Sequence, residues 1–294
     1  MKPKKLQITL LDIIILGGLA VLSGYIGYRI VIGLNYKWNW GVIPQYLFRY
    51  DLEKGRWTAN LLIQGLLTTI RLSIWATILA FILGLALGLC RTSKRLFQQL
   101  LGRSYVESIR NLPPLVLIFL FYYFVSDQLM PVIGVETWVR GLSPAAQSVV
   151  SFLFAPPETI AAFLSAVITL AIYEGSYITE IIRAGIQSIE KGQWEASYTL
   201  GLTWWQQMRH VILPQALRRS LPPLAGQFIS TIKDSAIVSV ISIQELTFQG
   251  MALTAATYMT FEIWITVTLM YLMLTLSCSL AARRLELWLA RNGG

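Results

Sequence analysis

The sequence predicts an all-α integral membrane protein with six transmembrane helices. Its 294 residues are 55% hydrophobic and only 13% charged, about half the charged fraction of an average soluble domain. Six long apolar segments recur along the chain, each near or above the roughly 20 residues that a membrane-spanning helix needs. The net charge of +9 does not indicate nucleic-acid binding, because the basic residues flank the apolar segments instead of clustering on a soluble module.

The first apolar segment follows a short basic N-terminus, residues 1–9, which carries Lys2, Lys4 and Lys5. A secretory signal peptide has similar charges, but its apolar core is only about 7–15 residues long. Residues 10–34 exceed that length and show no small-x-small cleavage site, so they predict an uncleaved transmembrane helix. Residues 35–59 are rich in Trp and Tyr, which favours an outer loop at the membrane interface.

The next two spans are predicted at residues 60–90 and 112–133, separated by a basic loop. Gly84 and Gly88 form a G-x-x-x-G spacing, which allows a neighbouring helix to approach closely. Arg71 is expected at the outer boundary of its span. The third span starts near Pro113 and Pro114, where a missing backbone N–H does no harm.

The remaining spans are predicted at residues 158–182, 212–243 and 261–282. Residues 134–157, with one basic residue, predict an outer loop with a short interfacial helix. The prolines at 214, 222 and 223 are expected to interrupt the fifth span. Residues 285–294 form a short tail.

The distribution of Lys and Arg predicts the orientation. The four segments assigned to one side (the N-terminus, the 91–110 loop, the region 183–219 and the C-terminus) carry 16 of these residues, and the two loops on the other side carry five. Because basic residues concentrate in cytoplasmic segments, both termini are expected in the cytoplasm.

A long polar segment, residues 187–214, separates the fourth and fifth spans. It is about five times longer than a typical short connection. Residues from Gln193 to Leu200 favour a short helix, and Gly201 stands where a helix-ending glycine belongs. Thr203 and Gln206 form a capping-box pattern that starts a second helix. Composition alone leaves two interpretations open, a docking helix and a helical loop in the headgroup layer.

The spacing in this segment resembles the EAA loop of ABC-importer permeases. Glu195-Ala196-Ser197 is followed after three residues by Gly201, and after nine more by Val-Ile-Leu-Pro ending at Pro214. The family pattern is Glu-Ala-Ala, three residues, Gly, nine residues, Ile-x-Leu-Pro, so Ser197 and Val211 depart from it. The neighbouring words E-I-I-R-A-G and K-G-Q-W-E resemble the permeases for polar amino acids, of the histidine, glutamine and glutamate type.

The resemblance covers residues 60–284 and implies the type I importer fold, a core of five helices to which the first helix is an addition. It implies alternating access in the bacterial inner membrane, with a docking helix that couples the permease to a separate ATP-binding subunit. The implied partners are ATP-binding subunits, an extracytoplasmic amino-acid-binding protein, a second permease chain and membrane lipid. The positions that the resemblance assigns to coupling are Gln193, Trp194, Glu195, Ala196, Ser197, Gly201, Leu213 and Pro214.

The chain carries no G-x-x-x-x-G-K-[ST] phosphate loop, so it is not expected to hold ATP or to act as an enzyme. Its single histidine, His210, argues against histidine-based metal sites and Ser-His catalysis. Cys90 and Cys278 both lie in apolar runs, where buried thiols usually serve as small hydrophobic side chains. No metal and no cofactor are expected.

Ionisable residues inside two spans are the candidate substrate contacts. Glu174 lies midway along the fourth span, and Lys233, Asp234 and Ser235 lie deep in the fifth. A charge in the middle of the bilayer costs at least ~2.5–3.5 kcal/mol, so such a residue usually faces a cavity or a partner. We expect Glu174 and Asp234 to face the translocation pathway. The alternative is that Lys233 and Asp234 pair with each other and serve packing.

Two other classes of function compete with the importer. An ion-coupled secondary transporter of amino acids needs no docking segment and usually shows an internal repeat, which this sequence lacks. An intramembrane enzyme needs paired catalytic groups, but neither H-E-x-x-H nor G-x-S-x-G occurs. The identity of the amino acid remains open.

Overall fold

The computed structural model describes residues 9–33, 36–52 and 55–292. Among these residues, six helical segments are long and apolar enough to cross a membrane. They are Leu10–Arg29, Leu61–Thr92, Pro114–Ile133, Ile160–Gln187, Trp204–Ile241 and Thr260–Trp288. The predicted fold class, all-α with six spans, is confirmed.

The chain divides into two compact units, Met1–Trp40 and Gly41–Gly294. The first unit contains helix α1 (Leu10–Gly33). Of the predicted N-terminus, residues 1–9, the first eight lie outside the described residues. These eight include Lys2, Lys4 and Lys5. The last two residues of the predicted tail, 293–294, also lie outside them.

The segment between the first two spans contains a small hairpin. A 3₁₀ turn (Trp40–Val42) and helix α2 (Ile43–Leu47) lead into strands β1 (Phe48–Asp51) and β2 (Arg56–Ala59). The two strands pair antiparallel, with Phe48 opposite Ala59 and Asp51 opposite Arg56. The sequence analysis predicted only an interfacial loop here, because strands of four residues are too short to show a clear alternation of polar and apolar positions.

The second unit is otherwise helical. Its helices are α3 (Leu61–Thr92), α4 (Leu96–Arg110), α5 (Pro114–Phe124), α6 (Met130–Ile133), α7 (Val135–Arg140), α8 (Pro144–Leu153), α9 (Ile160–Gln187), α10 (Lys191–Thr199), α11 (Trp204–Gln207), α12 (Leu213–Asp234), α13 (Leu246–Thr257) and α14 (Thr260–Asn292). Five-residue π-helical segments, Val125–Leu129 and Met208–Ile212, join α5 to α6 and α11 to α12. A 3₁₀ segment, Ser235–Ile241, continues α12.

The centre of this unit is the contact between α3 and α9. A Cβ atom added to Gly84 would lie 2.6 Å from Ile178 Cγ2, and one added to Gly88 would lie 2.8 Å from Ile182 Cγ2. No side chain fits at such distances, so the two glycines let the helices approach closely. The predicted role of the G-x-x-x-G spacing is confirmed.

Three helices differ from the sequence expectation. Helix α12 runs through Pro222 and Pro223 without a break, since packed neighbouring helices can tolerate proline in a membrane span. Helix α9 continues to Gln187, five residues past the predicted end of its span. Most of the basic 91–110 loop is helix α4, whose buried residues Gly102, Val106 and Ile109 form one apolar face.

Candidate functional site

The connection between α9 and α12, residues 188–212, presents its short helix α10 to the surroundings. Tyr198 and Leu200 are 76% and 77% exposed, respectively. Gln193, Glu195 and Ala196 are also exposed. An exposed set of aromatic, aliphatic, amide and carboxylate groups on one short helix has the chemistry of a docking surface.

Two of the predicted coupling residues on α10 are less accessible than the others. Trp194 is partly buried and packs against the apolar cluster that α9 and α12 share. Ser197 is buried, and its hydroxyl donates a hydrogen bond to the Trp194 carbonyl at 2.9 Å. The predicted set therefore contains both exposed and structural positions.

Gly201 forms the turn after α10. Its φ of +74° lies in the left-handed region, which glycine adopts without steric cost. The Gly201 N–H donates to the Tyr198 carbonyl at 2.9 Å. The next helix begins after Thr203. The Thr203 hydroxyl accepts a hydrogen bond from the Gln206 backbone N–H, and the Thr203 backbone N–H donates one to Gln206 Oε1 at 2.8 Å. The predicted turn and capping box are confirmed.

Apolar packing joins the α9–α12 connection to the membrane helices. Met208 and Ile212 are fully buried against Ile182 and Ile186 of α9. Leu213 is partly buried against the same cluster. The α9–α12 connection is therefore packed against both α9 and α12.

Polar contacts strengthen this attachment. Gln215 of α12 donates to the Gln193 side chain of α10 at 3.1 Å. Arg219 of α12 donates to the Ser188 carbonyl at the end of α9. Pro214 is exposed in the first turn of α12, a position where its missing N–H is tolerated.

An ionic cluster joins the same ends of α3 and α9. Arg91 of α3 pairs with Glu180 of α9 at 2.5 Å, and Arg183 pairs with the same carboxylate. The side chains of Arg91 and Glu180 are 18% and 28% exposed, so water screens this pair less than a surface pair. The cluster fixes the two central helices next to the α9–α12 connection.

A second polar site lies inside the bundle, at Glu174. This residue is fully buried, and Gln227 of α12 donates a hydrogen bond to its Oε2 atom at 2.5 Å. Within the described part of the chain, Oε1 makes no geometrically satisfactory hydrogen bond. Thr231 and Asp234, one and two turns further along α12, lie beside the same carboxyl group. We call these four residues the Glu174 cluster.

The structure divides the predicted pathway residues. Glu174 and Asp234 lie together, Lys233 is exposed, and Ser235 is buried with its hydroxyl donating to the Ile232 carbonyl at 2.8 Å. Among the described ion pairs, none joins Lys233 to Asp234 within 4.0 Å.

Gln227 and Thr231 were not among the residues predicted from the sequence. The signal that could have found them is their spacing. Residues 227, 231 and 234 follow the i, i+4, i+7 pattern of one helical face, and all three are polar within a membrane span.

No cluster of three or more His, Cys, Asp or Glu residues suited to a metal ion occurs in the described residues. Cys90 and Cys278 are free thiols, each partly buried.

Comparison with known proteins shows which family the chain belongs to. A family model described as "Binding-protein-dependent transport system inner membrane component" matches residues 80–291. The chain is similar to the probable glutamine ABC transporter permease protein GlnM of Bacillus subtilis (strain 168), with 33% identity over 227 residues, 77% of this chain and 92% of the relative.

Two further similarities point the same way. The glutamine transport system permease protein GlnP of Escherichia coli (strain K12) is 35% identical over 226 residues, covering 77% of this chain and 91% of the relative. A crystal structure of an amino acid ABC transporter with histidines matches with a TM-score of 0.64 and 31% identity, covering 85% of this chain and 99% of that one.

Proposed function

This chain belongs to the family of binding-protein-dependent transport system inner membrane components, and we propose that it is the permease subunit of an ATP-driven importer of polar amino acids. Its relatives are permease subunits of amino-acid ABC transporters, which supports the importer and not the ion-coupled alternative. The chain lies in the inner membrane as a multi-pass protein. The distribution of Lys and Arg supports cytoplasmic termini.

One observation carries the mechanism. The α9–α12 connection joins the two helices that supply the Glu174 cluster, with Glu174 on α9 and its three neighbours on α12. A force applied to α10 therefore reaches the cluster through α9 and α12. This arrangement supports a coupling role for the exposed face of α10 and a pathway role for the cluster.

The partner that applies the force is an ATP-binding subunit. The chain has no phosphate loop of its own, so ATP hydrolysis takes place on that subunit. Glu195 is exposed and can accept charge-assisted hydrogen bonds from an arginine or backbone N–H of the partner. Closure of the ATP-binding subunits moves α10, and the Glu174 cluster then opens toward the cytoplasm.

The other partners act on the opposite side and beside the chain. An extracytoplasmic binding protein delivers the amino acid, and a second permease chain, the same or similar, completes the pathway. In the Glu174 cluster, the carboxyl groups of Glu174 and Asp234 can accept hydrogen bonds from the substrate ammonium, and Gln227 holds the Glu174 carboxyl in position.

The proposal is tested by uptake of radiolabelled L-glutamine and L-glutamate into proteoliposomes that hold this chain with its ATP-binding subunit. We expect uptake only with ATP inside and binding protein outside. Glu195→Ala should reduce it by about tenfold, the effect of one lost charge-assisted hydrogen bond. The matched control, Glu286→Ala, removes an exposed carboxylate from the distal part of α14 and should have no effect. Uptake that an ion gradient drives without ATP would overturn the proposal.

A further inference from the structure

A cavity lies far from the Glu174 cluster. It is formed where α3, α8 and α9 meet the corner that precedes α13. Its volume is about 430 Å³, within the range of small-molecule sites. The polar residues that matter for its chemistry are Gln64, Thr68, Arg71, Ser242, Gln244 and Gln249. By the distribution of basic residues, this end of the bundle faces the outside.

Arg71 supplies a positive charge to this cavity without a negative partner. It is partly buried, and its Nη1 atom donates to the carbonyls of Ser151 and Phe154, at 3.0 and 3.1 Å, at the end of α8. The ion pairs of the described residues include none with Arg71. A guanidinium has five N–H donors, so several remain available. A guanidinium that lines a cavity and has no carboxylate partner among the described ion pairs can bind an anion there through charge-assisted hydrogen bonds.

Gln249 offers hydrogen bonds to the same cavity. It is only 6% exposed, yet no group in the described chain forms a hydrogen bond with its side-chain amide. The residue lines the cavity, so its amide N–H groups and carbonyl oxygen can form hydrogen bonds with a ligand there. Its position depends on Gly65, because a Cβ atom there would lie 2.9 Å from Gln249 Cγ.

The corner that carries Gln249 is rigid. The Glu245 carboxylate accepts hydrogen bonds from the backbone N–H groups of Thr247 and Phe248, at 2.9 and 2.8 Å, and from the Tyr271 hydroxyl at 2.7 Å. Burial raises the pKa of the Glu245 carboxyl, and these hydrogen bonds oppose the rise. Ser242 has a φ of +62°, a strained value for a residue other than glycine. The cavity wall is thus preorganised.

The distance to the Glu174 cluster shows that the two sites are separate. A Cβ atom on Gly175 would lie 3.1 Å from Leu83 Cδ2, so Glu174 stands near the level of Leu83 on α3. The 12 residues from Arg71 to Leu83 span about 18 Å of helix. One amino acid cannot reach both sites at once.

We propose that this cavity is an outer substrate site, where Arg71 binds the α-carboxylate of the incoming amino acid and Gln249 hydrogen-bonds it. It holds the amino acid after release from the binding protein and before transfer to the Glu174 cluster. This inference rests on the proposed function and deepens it. It assigns Arg71 a role in binding, beyond its contact with the end of α8.

The test uses protection of a thiol at the cavity from chemical labelling. Gln244 is exposed in the cavity wall, so Gln244→Cys is introduced into the assembled transporter with Cys90 and Cys278 replaced by serine. The transporter is placed in nanodiscs without binding protein and labelled with a membrane-impermeant maleimide. L-Glutamine should slow labelling, whereas its decarboxylated analogue, γ-aminobutyramide, and inorganic phosphate should not.

Variants assign the effect to the residues. Arg71→Gln should raise the half-protecting concentration of L-glutamine by roughly tenfold or more, as expected for loss of a charged hydrogen-bond partner. Arg49→Gln is the matched control, since it removes an exposed arginine on β1. If Arg71→Gln does not assemble, Gln249→Leu is tested instead. Weaker protection of the thiol by L-glutamine in this variant would support the proposal.

Three results would overturn the outer site: undiminished protection in Arg71→Gln or in Gln249→Leu, equal protection by γ-aminobutyramide, or equal protection by phosphate. Failure here is distinguishable from failure of the proposed function. ATP-dependent uptake with no protection leaves the importer intact and removes only the outer site. Protection without any ATP-dependent uptake removes the importer.

Discussion

The α9–α12 connection and the Glu174 cluster differ in how their polar groups are brought together and in how accessible these groups are. In the connection, the exposed residues Gln193, Glu195 and Tyr198 follow one another within a single short helix. In the cluster, Glu174 and Gln227 are 53 positions apart in the chain and meet in the interior. The first site is therefore accessible to a partner protein from outside, whereas the second is accessible only to a molecule that enters the bundle. The same two helices, α9 and α12, connect them.

The strongest test of this difference is the turn that ends α10. Gly201→Asp forces a residue with a Cβ atom into a left-handed φ of +74°, which should tilt or unfold the exposed helix. We expect ATP-dependent uptake to fall at least about a hundredfold, through lost coupling or lost assembly. Uptake and co-purification of the ATP-binding subunit are measured together.

Two controls belong to this prediction. Gly201→Asn should retain more of the uptake, because asparagine adds no charge and is the usual alternative to glycine at a helix-ending position. Gly134→Asp places the same side chain at a φ of +66° outside the α9–α12 connection and should be far milder. Full uptake by Gly201→Asp would contradict the docking role of α10.

A smaller effect is expected in the Glu174 cluster. Glu174→Ala removes a buried carboxyl and leaves the Gln227 amide without its partner, so uptake per assembled complex should fall by about tenfold. The pattern of competition among amino acids should change as well. Coupling should survive, so that ATP hydrolysis still responds to the binding protein.

The matched control is Glu107→Ala on α4. That carboxylate is exposed and pairs only with Arg103 at 2.7 Å, an interaction of little energetic value. If Glu174→Ala and Asp234→Ala assemble normally and keep both rate and selectivity, the cluster serves packing alone. That result would contradict a substrate-pathway role for the Glu174 cluster.

The smallest effect is expected at the start of α11. Thr203→Ala deletes the capping box and should cost about 1 kcal/mol of local stability. In a protein of this size, the melting temperature should fall by roughly 2–4 °C, with uptake nearly unchanged. Thr199→Ala, which loses only a hydroxyl contact to the Ala196 carbonyl within its own helix, is the control. An equal fall in melting temperature in both variants would contradict a stabilising role for the Thr203 cap.

Local sequence was sufficient for the α9–α12 connection. Gly201 and the pair Thr203 and Gln206 act on backbone groups within three residues of themselves. Their residue types therefore predict the turn and cap directly. The six spans were predictable for a similar reason, since the length and hydropathy of a segment decide whether it can cross a membrane.

Local sequence was insufficient for the interior. The continuous path of α12 through Pro222 and Pro223 depends on the helices around it, and residue preference alone favoured a break. The hairpin of β1 and β2 carries too few residues for a periodic signal. The place of Lys233 and Asp234 in a span did not show which of them lies beside Glu174, and the structure puts Asp234 there and leaves Lys233 exposed.

The sequence by itself determined the spans and the short helix of the α9–α12 connection, and its basic residues predict the orientation. Only the tertiary structure decided that Gln227 holds Glu174, that Asp234 lies beside it while Lys233 does not, and that Arg71 and Gln249 share a cavity. The physical reason is range. Turns, caps and membrane insertion depend on neighbouring residues, whereas buried polar contacts depend on the rotation and packing of helices that are distant in the chain.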